Sequence, residues 1–470
     1  MTRSSARAWS SASSTREPSL ALPPRKRAAW SESYTVGIAR AMRRAPDSAS
    51  SSGRSRRVAL GPRDSLGTMN VLFLAPNYPP EMVDFTRGLA DVGARVYGIA
   101  DGPVGQLGPT VQNALAGYRQ AKLYDRDATL QAARSFGVRF DRVECLWEPF
   151  VELAADLREV FGIPGMSLDC ARGFRDKELM KQRVEAAGLR VPHHARAHTA
   201  DEVRAHAERI GYPIIVKPIA GAGSADTFRC NSRQELEVAL GKTQHVREVS
   251  VEEFVDGEEY TFDTICVDGR PVFHNVAWYR PRPLQARSNE WISPQVVVLR
   301  NPDQPELRGG IELGLGVLRA LGMGTGFTHM EWYKKANGEV VFGEIGARSA
   351  GGHLVDQMNY SSDVDLFREW ARAVVWKSFE ATVTRKYNVA IIFKRALGQG
   401  RIRRIEGLEA YMARYGKYVA TEQLLRPGTR RRDWKQTLVS DGFVVVRHPE
   451  LAPTLEMADE FGENVRLYAE

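Results

Sequence analysis

The residues best suited to chemistry lie in one predicted β-hairpin near the middle of the chain, Phe327–Arg348. If Asn337-Gly338 forms a two-residue turn, counting outward along the two strands places Glu331 opposite Glu344. Directly opposed side chains lie about 4.5–5.5 Å apart at Cβ, where two like charges destabilise a sheet. Such a pair is tolerated when one carboxylate is protonated or when a cation lies between them. Because Mg²⁺ prefers carboxylate and phosphate oxygens, we predict that Glu331 and Glu344 bind Mg²⁺ (or Mn²⁺).

Two alternatives for this hairpin stay open. Both glutamates could face solvent, or a β-bulge could change the register, and an odd shift would send them to opposite faces. Arg348 lies four residues beyond Glu344, so the spacing of an extended strand puts it on the same face. A guanidinium there suits a phosphate or acyl-phosphate oxygen, and its plainer role would be to neutralise the glutamates.

A lysine followed by small residues predicts a phosphate site earlier in the chain. The apolar strand Pro213–Pro218 carries Lys217 near its end. The small residues that follow include Gly221, Gly223 and Ser224. Backbone N–H groups of small residues can approach an anion closely, although the GKS or GKT of a P-loop is absent. The alternative is a surface lysine whose head reaches solvent, beside an ordinary glycine-rich loop.

The segment Val249–Asp263 predicts two acidic strands joined by a turn at Asp256-Gly257. Backbone groups of such a hinge could read the edge of a purine. A carboxylate such as Glu259 could accept hydrogen bonds from ribose hydroxyls. The alternative is an ordinary strand–turn–strand whose acidic residues are solvated.

The net charge of +8 comes from the start of the chain. Residues 1–68 hold 13 Lys and Arg, 4 Asp and Glu and 15 Ser, so the other 402 residues hold 52 basic and 53 acidic side chains. We predict that this Arg/Ser-rich segment is disordered. An organellar transit peptide, or a true start at Met69, are the alternatives. A nearly neutral body does not favour nucleic-acid binding.

Hydropathy and cysteine usage exclude two further classes. No apolar run approaches the ~20 residues that cross a membrane. The four cysteines are scattered singly, without the spacing of a disulfide framework or a zinc site. We therefore expect a cytoplasmic protein in a reducing compartment.

Strand–helix alternation predicts an α/β domain with a small parallel sheet in residues 69–168. Its predicted strands are Asn70–Ala75, Ala94–Ala100 and Arg142–Leu146. No GxGxxG motif follows the first strand, which disfavours a dinucleotide here.

The order of these features resembles the ATP-grasp superfamily over about residues 70–470: a lysine strand, a small-residue loop, an acidic hinge and a carboxylate hairpin. The resemblance implies a mixed α/β and α+β fold. An N-terminal α/β domain (69–168) would precede two lobes that clasp ATP (169–386). Residues 387–470 resemble the C-terminal α+β subdomain of biotin carboxylase and amino-acid ligase relatives, which completes the module.

The resemblance also implies a role for each site residue. Lys177 and Lys217 resemble the two phosphate-binding lysines, and Gly221–Ser224 resembles the mobile phosphate loop. The residues that resemble the adenine hinge and the ribose carboxylate are Glu252, Glu253, Val255 and Glu259. Glu331 and Glu344 resemble the Mg²⁺ ligands, and Arg348 is similar to the arginine that steadies the transferred phosphate.

One position departs from the family pattern. Many members read Glu-x-Asn-x-Arg, in which the asparagine is a further metal ligand, whereas this chain has Gly346 at that position. The variant resembles amino-acid-ligase-like members. It puts a second metal ion in doubt, or leaves its coordination to water or to a neighbour such as His329.

The implied reaction is attack of a substrate carboxylate on the γ-phosphate of ATP, followed by capture of the acyl phosphate by an amine and release of ADP and phosphate. The partners would be small-molecule carboxylates and amines, and a homodimer is compatible with the sequence. Residues 274–293 are the predicted acceptor region, or else a mobile basic and aromatic loop. The residues that suggest it are Arg280, Arg282, Arg287 and Trp291. A bicarbonate-using enzyme and a non-catalytic ATP-binding protein are the rival functions.

Overall fold

A four-stranded parallel sheet organises the N-terminal domain. The structure is a computed structural model that describes residues 67–219, 226–437 and 439–470. Strands β1–β4 are Asn70–Leu74, Arg95–Ala100, Leu115–Gln120 and Arg142–Glu144, in the sheet order β3-β2-β1-β4. Helices α1–α4 are Met82–Asp91, Pro109–Ala114, Arg126–Arg134 and Val151–Phe161, and short 3₁₀ turns span Val104–Gln106 and Glu148–Phe150. All these strand pairs are parallel, which confirms the predicted small parallel sheet.

Strand β1 is apolar throughout because both of its faces are covered. Leu72 and Leu74 pack within the N-terminal domain, whereas Val71 and Phe73 pack against the rest of the protein. Continuous apolar runs of this kind are typical of parallel strands covered on both sides. The predicted disordered segment, apart from its last two residues, lies outside the described residues.

A small antiparallel sheet follows and forms one wall of the site. Strands β5–β8 are His194–Ala197, Ile214–Pro218, Phe228–Cys230 and Val249–Glu253, in the order β5-β8-β6-β7. Helices α5–α8 are Leu168–Gly173, Lys177–Ala186, Ala200–Ile210 and Arg233–Lys242. Thr199 and Glu202 form a capping box that fixes the start of α7.

The opposite wall belongs to a sheet of eight strands among the described residues. Strands β9–β13 are Glu258–Val267, Arg270–Arg280, Gln295–Val298, Gly326–Lys334 and Val340–Gly346. Strands β14–β19 are Asn388–Phe393, Leu397–Gly398, Ile402–Glu406, Val419–Leu424, Gly442–His448 and Arg466–Ala469. The large sheet has the order β13-β12-β9-β10-β11-β14-β18-β17, and β15, β19 and β16 form a separate small sheet. Strands from the predicted lobes and from the predicted C-terminal subdomain therefore share one sheet.

Helices cover both faces of the large sheet. Helices α9–α14 are Pro283–Ser288, Pro305–Ala320, Leu354–Ser362, Leu366–Trp376, Leu408–Tyr415 and Leu451–Asn464, and a 3₁₀ turn spans Gly416–Tyr418. On one face, α10 packs against the buried Trp332 of β12, and α14 packs against β14 and β18. On the other face, α11 and α12 pack together with α1 of the N-terminal domain around Trp370. Both cores include residues of β9 and β12, and so they support the edge of the sheet that carries the predicted carboxylates.

The β12–β13 hairpin reaches its predicted register by a different route. The Lys335 N–H donates to the Glu339 carbonyl oxygen at 2.9 Å, so the loop has three residues and the predicted two-residue turn is wrong. That extra residue shifts the pairing by one. A bulge then leaves Gly343 without a partner and restores Glu331 opposite Glu344. The predicted pairing of the two glutamates is thus confirmed.

Glycine is required at the bulge. A Cβ added to Gly343 would lie 2.8 Å from the carbonyl oxygen of Glu331. The absence of a side chain at this residue therefore allows the strand to bulge and to present both glutamates on one face.

Candidate active site

The small antiparallel sheet of β5–β8 and the β9, β12 and β13 edge of the large sheet enclose a cleft. This cleft contains most of the predicted site residues. Those that line it are Lys177, Lys217, Glu252, Glu253, Val255, Glu259, Glu331 and Glu344. Arg348 lines an adjoining cavity that shares Lys177 and Glu344 with the cleft. Gly221, Gly223 and Ser224 lie outside the described residues.

Three carboxylates share one face of the large sheet. Glu331 is opposite Glu344, and Glu259 is opposite Tyr333, two residues along the strand from Glu331. Burial and the neighbouring Glu331 raise the pKa of Glu259 to about 8, against the opposing charge of Arg282. A raised pKa is the expected consequence of clustering carboxylates at a buried site.

The two predicted phosphate-binding lysines point into the cleft from different elements. Lys177 begins helix α6, which Asp176 caps by accepting hydrogen bonds from two backbone N–H groups. Its Nζ forms an ion pair with Glu344. Lys217 lies on β6, with its Nζ 2.9 Å from Glu252 Oε2 and 3.9 Å from Glu344 Oε2. With only 14% of its side chain exposed, Lys217 is not a surface lysine.

These lysines set the charge of Glu344. Burial acts to raise the pKa of Glu344, but Lys177 and Lys217 outweigh it and lower the pKa to about 2. Glu344 is consequently ionised at neutral pH and carries two ammonium groups within reach. A carboxylate in this state is ready to exchange an ammonium partner for a metal cation.

A third lysine lies beneath the cleft. The Nζ of Lys181, in a side chain with no solvent exposure, donates to Glu252 Oε1 at 2.6 Å. Ser250 Oγ lies 2.8 Å from the same carboxylate oxygen and also contacts Glu178. The Glu252 side chain thus forms ion pairs with both Lys181 and Lys217. Lys181 follows Lys177 by four residues on one helix face, a spacing that could have marked it in the sequence.

The side chains of the predicted hinge residues Glu252 and Glu253 form ion pairs within the protein. Glu253 pairs with Arg190 at 2.9 Å, on the side away from the lysines. The carbonyl oxygen of Val255 accepts a hydrogen bond from Arg282 Nη1 at 2.8 Å, while Arg282 Nε lies 3.1 Å from Glu259 Oε2. Any contact of Glu252 and Glu253 with a purine edge would therefore involve their backbone atoms.

His329 lies beside Glu331 and is held in place by Asp263. Its Nδ1 lies 2.6 Å from Asp263 Oδ1, and its Nε2 lies 3.7 Å from Glu331 Oε1. Burial lowers the pKa of His329, but Asp263 outweighs burial and raises it to about 9. Metal-bound histidines commonly donate their other ring N–H to a carboxylate, as His329 can to Asp263. Coordination by His329 in place of the asparagine stays a prediction.

The adjoining cavity holds a cluster that sequence reasoning missed. Glu148 of the N-terminal domain accepts from Arg348 Nε at 2.7 Å and from Arg175 Nη1 at 2.5 Å. Glu148 and Arg348 are 200 residues apart, so no local pattern pairs them. Lys177 and Glu344 line both the cleft and this cavity, whereas Lys217 and Glu252 line the cleft.

The donor set fits a Mg²⁺ ion that is shared with a phosphate chain. Glu331 and Glu344 are directly opposed, and lysines flank one of them. In the part of the chain that the structure describes, no group of three or more His, Cys, Asp or Glu could hold a metal by itself. Two carboxylates plus substrate phosphates are a common ligand set for Mg²⁺.

Comparison with known proteins identifies the class. Residues 210–357 match the ATP-grasp domain family, and the chain contains an ATP-grasp domain. It is 26% identical over 251 residues to an L-arginine-specific L-amino acid ligase of Bacillus subtilis, a match that covers 52% of this chain and 60% of that protein. It is 34% identical over 108 residues to a D-alanine–D-alanine ligase of Ralstonia pickettii, covering 22% of this chain and 33% of the relative.

Solved structures show the same fold. An L-amino acid ligase from Bacillus licheniformis superposes with a TM-score of 0.71 at 19% identity, covering 86% of this chain and 99% of that one. An N5-carboxyaminoimidazole ribonucleotide synthetase from Thermotoga maritima superposes with a TM-score of 0.60 at 16% identity, covering 86% and 100%. The predicted fold class and the resemblance to ATP-grasp proteins are confirmed. Among the described helices, none is long and apolar enough to cross a membrane.

Proposed function

We propose that the protein is an ATP- and Mg²⁺-dependent ligase that activates a small-molecule carboxylate as an acyl phosphate and transfers it to an amine, releasing ADP and phosphate. The observation that carries this proposal is the opposed pair Glu331 and Glu344, with Lys177 and Lys217 on Glu344 and Arg348 in the adjoining cavity. The L-amino acid ligases among the relatives support amino acids as substrates. We further propose that the protein acts in the cytoplasm, without nucleic acid or membrane.

The charges of the cleft suit binding of ATP by exchange of partners. Lys177 pairs with Glu344 and Lys217 lies 3.9 Å from it, so Glu344 would release both lysines toward the phosphates as it takes up a cation. Bound Mg²⁺ would neutralise the phosphate oxygens and hold the β- and γ-phosphates in line. Bound Mg²⁺ offsets part of the negative charge of the triphosphate and the lysines face the rest, which lowers the cost of burying it.

Glu259 and Arg348 would position the reactants. Glu259, whose Oε2 lies 3.1 Å from Arg282 Nε, could accept a hydrogen bond from a ribose hydroxyl. Arg348 lines the adjoining cavity, from which the substrate carboxylate would approach the γ-phosphate. Catalysis of this kind depends on positioning and on charge neutralisation, and it needs no nucleophilic side chain.

The proposal is tested by product formation in two matched variants. Purified protein is incubated with ATP, Mg²⁺, hydroxylamine and each of the twenty protein amino acids, and ADP and hydroxamate are measured. We expect both products with at least one amino acid, and a loss of at least about a hundredfold in Glu344→Gln. Glu339→Gln, on the same hairpin but paired with Lys335 and Arg190 outside the cleft, should keep wild-type activity.

Two outcomes would contradict the proposal. ADP release that depends on bicarbonate and ignores every amino acid would indicate the bicarbonate-using enzyme. Nucleotide binding without ADP release under any condition would indicate a non-catalytic ATP-binding protein.

A further inference from the structure

A partly buried carboxylate of the protein itself bridges two arginines beside the cleft. Glu148 Oε1 lies 2.5 Å from Arg175 Nη1, and Oε2 lies 2.7 Å from Arg348 Nε. Each arginine therefore binds a different oxygen of one carboxylate, as two guanidinium groups would bind a substrate carboxylate. The side chains of Glu148 and Arg175 are each 14% exposed, and that of Arg348 is 21% exposed, so the bridge remains in contact with solvent.

The cavity around this bridge carries more positive than negative groups. Its lining includes the carboxylates of Glu148 and Glu344 and the basic side chains of Arg175, Lys177 and Arg348. Without the charge of Glu148, these three basic groups would face one carboxylate. The cavity is therefore built for a further anion.

The position of the cavity fits the carboxylate end of a substrate. It shares Lys177 and Glu344 with the cleft, so a carboxylate held by the two arginines lies next to the proposed phosphate-binding groups. The cavity wall also contains Phe174, Met180 and Ile345, which could pack against the carbon atoms of a small acid.

The Glu148 side chain can move away from the two arginines without displacing a β-strand. It begins the 3₁₀ turn Glu148–Phe150 between β4 and α4, outside the strands. The preceding residue, Trp147, packs edge-on against Tyr78 with ring centroids 4.6 Å apart and holds the backbone in place. Displacement of the Glu148 side chain would free Nη1 of Arg175 and Nε of Arg348.

We propose that Arg175 and Arg348 bind the carboxylate of the small-molecule substrate, and that the carboxylate of Glu148 occupies their shared site until the substrate displaces it. This inference rests on the proposed ligase function and identifies the part of the site that receives the acid. The competing explanation is that Glu148 is a permanent link between the N-terminal domain and the lobes. The two explanations predict opposite effects of removing its charge.

The experiment measures binding and does not depend on turnover. Wild-type protein and variants are saturated with Mg²⁺ and a non-hydrolysable β,γ-imido analogue of ATP. They are titrated calorimetrically with the twenty protein amino acids and with acetate, benzoate and succinate. The variants are Glu148→Gln, Glu148→Ala and Arg175→Gln. The matched control is Glu152→Gln, which alters a surface glutamate four residues away that faces Arg172 at 3.8 Å.

The expected result is tighter binding when the internal competitor is weakened. An apparent Kd equals the intrinsic Kd divided by the fraction of molecules whose site is free, so both Glu148 variants should bind the best acid at least about fivefold more tightly than wild type. Arg175→Gln should weaken the same acid at least about tenfold. The affinity for the ATP analogue should stay the same in all variants, and Glu152→Gln should match wild type.

Several results would overturn this inference. They are unchanged or weaker acid binding in both Glu148 variants, no loss in Arg175→Gln, or no binding of any acid to any form. If hydroxamate forms while Glu148→Gln leaves binding unchanged, the ligase function stands and only the role of Glu148 is wrong. If binding tightens but no acid supports ADP release, the carboxylate site stands and the ligase function is wrong.

Discussion

Replacing Lys181 with methionine removes one cation from the buried network that holds Lys217. The lysine has no solvent exposure, and it donates to Glu252 at 2.6 Å and to the carbonyl oxygen of Lys177 at 3.2 Å. Burial lowers the pKa of Lys181, against the attraction of Glu252. Methionine matches its length but supplies neither charge nor donor, so Glu252 would be left with Lys217 as its remaining cation.

The magnitude follows from the environment of the pair. Removing one partner of a buried ion pair costs about 3–5 kcal/mol. Because Lys217 remains 2.9 Å from Glu252, we expect a value near the lower end, about 3 kcal/mol in the free energy of unfolding. The affinity for ATP should also fall, since Glu252 would then hold Lys217 more firmly and compete with the phosphates.

The assay is equilibrium denaturation by urea together with nucleotide titration. The matched control is Lys335→Met, which removes an ion pair to Glu339 at 2.7 Å whose side chains are 29% and 33% exposed. A pair at this exposure should contribute less than about 1 kcal/mol. Equal losses in Lys181→Met and Lys335→Met, or unchanged ATP affinity in Lys181→Met, would refute this reasoning.

Two further predictions test the carboxylate hairpin. Gly343→Ala should lower the free energy of unfolding by about 2 kcal/mol or more and should also lower ATP turnover, because the new Cβ would lie 2.8 Å from the Glu331 carbonyl oxygen. The control Gly324→Ala, whose new Cβ meets no neighbour within 4 Å, should change neither quantity. Equal effects of the two substitutions would contradict the bulge argument. The pKa of His329 is raised from 6.5 to about 9, so its pairing with Asp263 should contribute about 3 kcal/mol below pH 6.5 and lose that contribution as the pH rises through 9. Urea denaturation of the protein without Mg²⁺ or ATP should show this decline, and His329→Gln should flatten it; an equally steep decline in the variant would contradict the assignment.

Local patterns were sufficient to predict the residues that share a strand or a hairpin. The alternation along β12 and β13 places Glu331 and Glu344 on one face, and the apolar strand before Lys217 places that lysine at the cleft. The turn was predicted wrongly, because sequence alone does not distinguish a two-residue turn from a three-residue loop that is compensated by a bulge at Gly343. The loop is one residue longer than predicted and the bulge adds one unpaired residue, so the two shifts cancel and the predicted pairing of Glu331 with Glu344 is correct.

Contacts between distant parts of the chain could not be predicted. Glu148 meets Arg348 across 200 residues and two domains, and Lys181 meets Glu252 across 71 residues. Such pairs depend on how the domains pack, which no local period encodes. The side-chain role of Glu252 was missed for the same reason, since its position in the hinge suggested a contact with the base and its carboxylate binds two lysines instead.

Transfer of oxygen from the substrate to phosphate tests the central claim most directly. An amino acid that supports ADP release is labelled with ¹⁸O in its carboxylate and incubated with ATP, Mg²⁺ and the acceptor amine. The proposed acyl phosphate forms when a carboxylate oxygen attacks the γ-phosphate, so the phosphate released should contain one ¹⁸O atom per turnover. Phosphate without ¹⁸O, formed at the same rate as ADP, would contradict carboxylate activation at this site.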